Sequence, residues 1–323
     1  MKGRLSVATF GAALACAGLF GCGGGGGGGG GGSGLQEPPS TLIAISASNI
    51  NQVTDASLDP AVGGTGAFGA STSSVDTPQP NTRALLRALQ SVSRQAKQAR
   101  PTSSGLSDVP VNESCPFGGT ITGDETPTSA TLRFNSCSPE SGQVINGSAS
   151  ATVLINTSTR FQASFSLDVT FTQTGSQPLR LVGNFSIDEN CPGGPGTCVV
   201  TFNGSSLGAA HGAEVWFIKS FNILSVEGPG FVDVSASYTV SSSDLGGSVQ
   251  VITNTPIRFV SSAMYPESGQ IRINGANGSN AVITINSSTP GDLNAVQVQV
   301  DLAPGDGTPD ITSNFSWNAL EAI

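Results

Sequence analysis

Phe161-Gln162-Ala163-Ser164-Phe165-Ser166-Leu167-Asp168-Val169-Thr170-Phe171 alternates apolar and polar residues without a break. Successive side chains of an extended chain point to opposite faces, so this segment reads as a strand with one buried and one wetted face. The same period of two returns in Leu179, Leu181, Phe185 and Ile187, and in Val232, Val234, Ala236, Tyr238 and Val240. It returns again in Val296, Val298 and Val300, followed by Ile311, Phe315 and Trp317. Strands wetted on one face belong to antiparallel sheets, whereas parallel strands are apolar on both faces. Turn residues separate the runs: Gln173-Thr174-Gly175, Gly193-Gly194-Pro195-Gly196, Gly228-Pro229-Gly230, Gly246-Gly247 and Asp306-Gly307. The fold class is therefore mainly β, a large antiparallel up-and-down meander of roughly a dozen strands. It closes as a barrel or stays open as a half-barrel, with a two-sheet sandwich as the alternative.

Composition agrees and excludes several function classes. Charged residues make up 11% of the 323, against about 25% in ordinary globular proteins. With 37% hydrophobic residues, the chain is not a charge-solvated disordered one. A net charge of −9 argues against a nucleic-acid partner, because phosphate binding needs a basic surface. One histidine leaves no room for a multi-histidine metal site.

The amino terminus sets the location. Lys2 and Arg4 precede an apolar run, Leu5 to Phe20. It is too short to span a bilayer and has the proportions of a signal-peptide core. The run ends in Leu19-Phe20-Gly21-Cys22, and Gly23 to Gly32 is unbroken glycine. Glycine has no side chain to bury and the most backbone entropy to lose, so this stretch reads as a flexible tether. The expected organisation is a signal peptide at 1–21, a cysteine and tether at 22–40, a linker region at 41–110 and an antiparallel β domain at 111–323. Within the linker region, Leu42, Ile43 and Ile45 read as a short strand or an anchor into the main body, and Ser48 to Ala56 as a short helix.

Residues 82–99 carry helical periodicity. Leu85, Leu86, Leu89, Val92, Ala96 and Ala99 share one face, and Arg83, Arg87, Arg94 and Lys97 the other. The plain reading is a helix packing its leucine stripe on the sheet. The alternatives are contact with anionic lipid, with an acidic partner, or with the acidic remainder of the same chain.

Four cysteines remain after Cys22. An exported chain meets an oxidising compartment, so an even number reads as disulfides. Three pairings are possible, and the expected one joins nearest neighbours, Cys115–Cys137 and Cys191–Cys198; the spacings lack the paired C-x-x-C of zinc sites. Asp301, Asp306 and Asp310 flank Gly305 and Gly307 and form a candidate calcium loop, although the spacing is not that of an EF-hand. The plainer reading is an Asp-Gly hairpin turn. Gly204-Ser205-Ser206-Leu207-Gly208, with His211 close by, matches the G-x-S-x-G of serine hydrolases. Its surroundings read as strand rather than the strand-to-helix elbow that motif requires. No catalytic residue and no cofactor is assigned. Pro139-Glu-Ser-Gly-Gln143-Val-Ile-Asn146-Gly147 has an echo in Pro266-Glu-Ser-Gly-Gln270-Ile-Arg-Ile-Asn274-Gly275, read as one turn-strand-bulge solution used twice.

The segment Leu19 to Cys22 resembles the bacterial lipobox, with a small residue directly before the cysteine. The resemblance implies cleavage before Cys22 and its acylation, hence a membrane partner through that lipid. Cys22 with its glycine run, Cys115-Pro-Phe-Gly-Gly-Thr120 and the Asp301–Trp317 ending together resemble glycine-tethered, β-rich lipoproteins of Gram-negative bacteria. That group lends a location in the cell envelope, at the outer membrane facing periplasm or surface, and no activity. The functional expectation is a non-catalytic structural or interaction module with an envelope protein as possible partner. The alternative is a periplasmic carrier of lipid or another apolar ligand, held against Phe161, Phe165, Leu167 and Val169.

Overall fold

The structure is a computed structural model that describes residues 35–50, 52–54, 57 and 109–320, apart from 127, 139–140, 158, 176, 194–196 and 262. The signal segment, Cys22, the glycine run and the helical pattern at 82–99 lie outside the described residues.

Among the described residues fourteen strands follow one another: β1 (Val109–Ser114), β2 (Thr120–Glu125), β3 (Ser129–Cys137), β4 (Gln143–Asn156), β5 (Arg160–Gln173), β6 (Leu179–Asn190), β7 (Val199–His211), β8 (Glu214–Gly228), β9 (Phe231–Ser242), β10 (Gly247–Val260), β11 (Ser268–Asn274), β12 (Asn280–Ile285), β13 (Val296–Asp301) and β14 (Ile311–Phe315). They form one sheet in which each strand neighbours the next in sequence. The order runs from β1 to β14 without closing into a barrel, and among the described residues there is no second sheet: the expected up-and-down meander is present in its open form, not as a barrel or a sandwich. Alternation could not decide this, because open and closed sheets impose the same period of two on every strand. Among the described residues no helix is long and apolar enough to cross a membrane.

By chain contacts the molecule divides into two compact units. Of the described residues, one comprises those within 35–36, 109–189 and 206–215, the other those within 37–57, 190–205 and 216–320. The first strand begins at Val109.

In the first unit, β5 realises the alternation fully: Phe161, Ala163, Phe165, Leu167, Val169 and Phe171 are all buried. The registers explain how this face packs. On β4 the residues pointing the same way are small, Gly147, Ala149 and Ala151. They lie between Phe134, Leu132 and Ala130 on β3 and Val169, Leu167 and Phe165 on β5. Small residues between large ones let neighbouring rows interdigitate at crystal-like density. Phe165 then stacks on Phe185 of β6, with centroids 4.8 Å apart and planes within 13°. On the wetted face, Arg160–Asp188 and Arg180–Asp168 bridge β5 and β6. The pairs are eight residues apart on each strand, so both report one register. Asp188 raises the Arg160 guanidinium above its usual value, through their hydrogen bonds and then its charge.

In the second unit, the expected anchor at Leu42, Ile43 and Ile45 is present. Ile43 N–H donates to the Ser248 carbonyl at 3.0 Å, and Ser248 N–H donates to that of Thr41 at 3.0 Å. Ala276 N–H donates to the Ile43 carbonyl at 2.7 Å. Ile45 N–H donates to the buried Ser279 hydroxyl, which itself donates to Ala276 O. Ile45 and Val53 end fully buried. Gly247 permits the approach, since a Cβ there would lie 2.4 Å from Ile43 Cγ2. Helical residues at 50, 52–54 and 57 follow, in line with the expected short helix. Beyond them the buried Tyr238 hydroxyl donates to the Ser57 carbonyl at 2.6 Å. Tyr238→Phe leaves that carbonyl unpaired at a cost of about 1–3 kcal/mol. The expected result is faster cutting by proteinase K between residues 41 and 57; cutting at the wild-type rate would show that the bond does not hold the segment.

Across β9 and β10, Arg258 and Asp233 are direct register partners and form a two-pronged ion pair at 2.7 and 2.6 Å. The guanidinium lies 4.4 Å over the Phe231 ring, and the Asp233 hydrogen bonds raise its pKa. Tyr265 stacks on Trp317, whose indole N–H donates to Ser287 O at 2.8 Å.

Candidate functional site

The site grows from an irregularity in β3. Residues 129–134 alternate strictly, then Asn135 and Ser136 are both exposed and Cys137 is buried. The register with β4 shifts between Phe134 and Cys137, and Ser136 adopts φ +48°. This is a β-bulge, one extra residue that resets which side chains face the core. It turns the odd-numbered Cys137 inward, where it bonds to Cys115. A bulge leaves a backbone N–H without its ladder partner; Asn146 of β4 supplies one, its Oδ1 accepting from Ser136 N–H at 2.8 Å and from the Ser136 hydroxyl at 3.4 Å. Next to it Gly147 takes φ +118°, and a Cβ there would sit 2.1 Å from the Asp168 carbonyl oxygen. Only glycine allows β5 to approach so closely.

The result is an open groove of about 570 Å³ on β3–β6, with two polar cross-strand rows in it. One row runs Arg133, Ser148, Asp168, Arg180: Arg133 pairs in register with Ser148, Ser148 with Asp168, and Asp168 accepts from the Arg180 guanidinium at 3.0 and 3.2 Å. The other contains Asn135, Asn146 and Thr170, the last two in register. At about 4.8 Å per strand spacing, four strands set the outer arginines roughly 14 Å apart.

The charges in this groove are uneven. Asp168 is neutralised by Arg180, and outside the groove Arg160 pairs with Asp188. Arg133 is exposed and makes no ion pair among the described residues. Sequence reading did not single these residues out, because scattered Asn, Ser and Arg on wetted strand faces look like ordinary solvated positions. The one available signal was the echo motif, whose first copy ends in Asn146-Gly147. Its second copy opens β11, and there too the preceding strand, β10, carries register shifts opposite it. The motif is thus a strand start set against a bulge in both places, although only the first copy places an asparagine on the bulge N–H.

The residues singled out from sequence fall elsewhere. Both cysteine pairs are disulfides, with Cα–Cα distances of 5.4 Å for Cys115–Cys137 and 4.1 Å for Cys191–Cys198. The Asp301 carboxylate is almost fully buried. It accepts from the N–H groups of Asp306 and Gly307 and from Asn280 Nδ2. Asp306 accepts from Thr308 N–H and Asp310 from Leu302 N–H. Each carboxylate of the candidate calcium loop is thus engaged by loop donors, as in a hydrogen-bonded turn between β13 and β14. Ser206 lies in the middle of β7 and His211 is its last residue. That is a strand, not a nucleophile elbow. Phe161, Phe165, Leu167 and Val169 are at most 5% exposed, and none lines the groove. No family model, no curated protein and no solved structure matches the chain.

Proposed function

We propose that the chain is an exported lipoprotein, anchored through an acylated Cys22 at the bacterial outer membrane, whose β body is a non-catalytic interaction module of the cell envelope. The observation that carries the module reading is the groove on β3–β6. It is open and polar, and its carboxylate is tied to an arginine rather than set beside a nucleophile or a second acid. Such a surface is suited to holding a polar partner. The carrier alternative needs apolar side chains facing a ligand cavity of several hundred Å³. The four candidates for that lining are instead buried, and Phe165 is packed ring to ring with Phe185.

Two measurements test the reading. Growth with radiolabelled palmitate should label the wild-type chain and leave Cys22→Ala unlabelled; label on the variant refutes the anchor. Solvent extraction and mass spectrometry of the purified protein should find no stoichiometric lipid beyond the covalent acyl groups. A bound lipid at one per chain would replace the module with the carrier.

A further inference from the structure

We propose that the groove on β3–β6 binds an acidic saccharide, with Arg133 taking the sugar's carboxylate. The assignment rests on reading the body as an interaction module and names the chemistry of its partner.

Saccharide hydroxyls are donors and acceptors at once, so a site for them must offer both along a line of several ångströms. The groove does. Asn146 has its Oδ1 committed to the bulge, which fixes the side chain and presents Nδ2 as a donor. The hydroxyls of Ser148 and Thr170 can donate or accept. Asp168, held by two hydrogen bonds from Arg180, keeps lone pairs for a sugar hydroxyl and is fixed in orientation. Backbone features place these side chains. The bulge, the positive φ of Gly147 and the Cys115–Cys137 bond set the floor of the groove.

The sign of the ligand follows from the unpaired cation. The described part of this unit contains three arginines and no lysine; two of them face a carboxylate and Arg133 does not. A guanidinium binds a carboxylate through two parallel N–H donors, a geometry that neutral hydroxyls do not satisfy. In a chain of net charge −9, an unpaired arginine at one end of a row of hydroxyl-binding groups selects a sugar carrying one negative group. The span of about 14 Å accommodates a disaccharide lying across the strands.

The test uses two probes that differ in that one group. The disaccharide of N-acetylglucosamine with N-acetylmuramic acid carries a lactyl carboxylate; di-N-acetylchitobiose has a hydroxyl in its place. Each is titrated into the full-length isotope-labelled protein and followed by the amide resonances of Asn135, Asn146, Ser148 and Thr170. The acidic probe should shift them with a dissociation constant in the millimolar range, and the neutral probe should bind about tenfold more weakly. Arg133→Ala should remove that difference while leaving thermal unfolding unchanged, since Arg133 is exposed and unpaired. Equal affinity for the two probes in the wild type overturns the inference, as does absence of shifts up to about 10 mM. If the protein then still retains solubilised envelope material on a column, the module reading survives and only the saccharide assignment falls; if it retains none, both fall.

Discussion

Replacing Cys115 and Cys137 together with alanine should lower the free energy of unfolding by about 3 kcal/mol, from the loss of loop-closure constraint in the unfolded chain. The bond joins residues 22 apart in sequence, and between them lie all of β2 and most of β3. It also secures a local network. Phe117 N–H donates to Ser138 O at 2.9 Å and Ser138 N–H to Gly118 O at 2.8 Å, so the Cys115–Gly119 turn is stitched to the end of β3. That end lies directly beyond the Ser136 bulge, so its release loosens the Asn146–Ser136 contact on which the groove depends. The double variant should therefore lose saccharide binding at denaturant concentrations where the rest of the fold persists. Cys191–Cys198 closes a loop of only seven residues, and its removal should cost less, about 2 kcal/mol. Guanidinium unfolding of the two double variants decides the matter through the shift in midpoint at constant slope. Equal losses would show that loop length does not govern the stabilisation here.

The strands were legible because burial on one face leaves a period of two in any sequence that must also stay soluble. Phe161 to Phe171 announced β5 nearly to the residue. Glycine at the turns announced the reversals: Gly175, Gly230, Gly246 and Gly307 all take positive φ. What the pattern could not encode was closure, since a residue on an edge strand alternates like one inside a barrel. The anchor at Ile43 and Ile45 was visible only as three apolar residues in a polar stretch; its partners, Ser248 and Ser279, lie more than two hundred positions away. The groove was hidden for a different reason. It is made by an exception, the bulge at Ser136, and exceptions have no period. A long-range pair such as Ser136 and Asn146 becomes readable only once the register of β3 against β4 is known.

Phe165→Ala should be the most damaging single side-chain truncation on β5, lowering stability by about 3–5 kcal/mol. The ring is 3% exposed, so its loss removes transfer free energy and leaves a cavity. The walls of that cavity cannot move in. On one side Ala151, its register partner on β4, has no side chain to extend. On the other, Phe185 loses the stacked ring that lay 4.8 Å from its own, worth about 0.5–1.5 kcal/mol beyond area burial. The neighbouring residue supplies the control. Ser166 is exposed on the opposite face of the same strand, and Ser166→Ala should change stability by no more than about 0.5 kcal/mol. Phe165→Leu keeps most of the volume and should fall between the two. The series also separates the two readings of the apolar face. If Phe165 lined a cavity kept open for a lipid, truncating it would enlarge that cavity and forfeit few packed contacts. The unfolding free energy of the lipid-free protein would then barely change, while lipid retention would. A loss of several kcal/mol without any lipid present is what a close-packed structural face produces, because the cost lies in neighbours that remain unable to fill the gap.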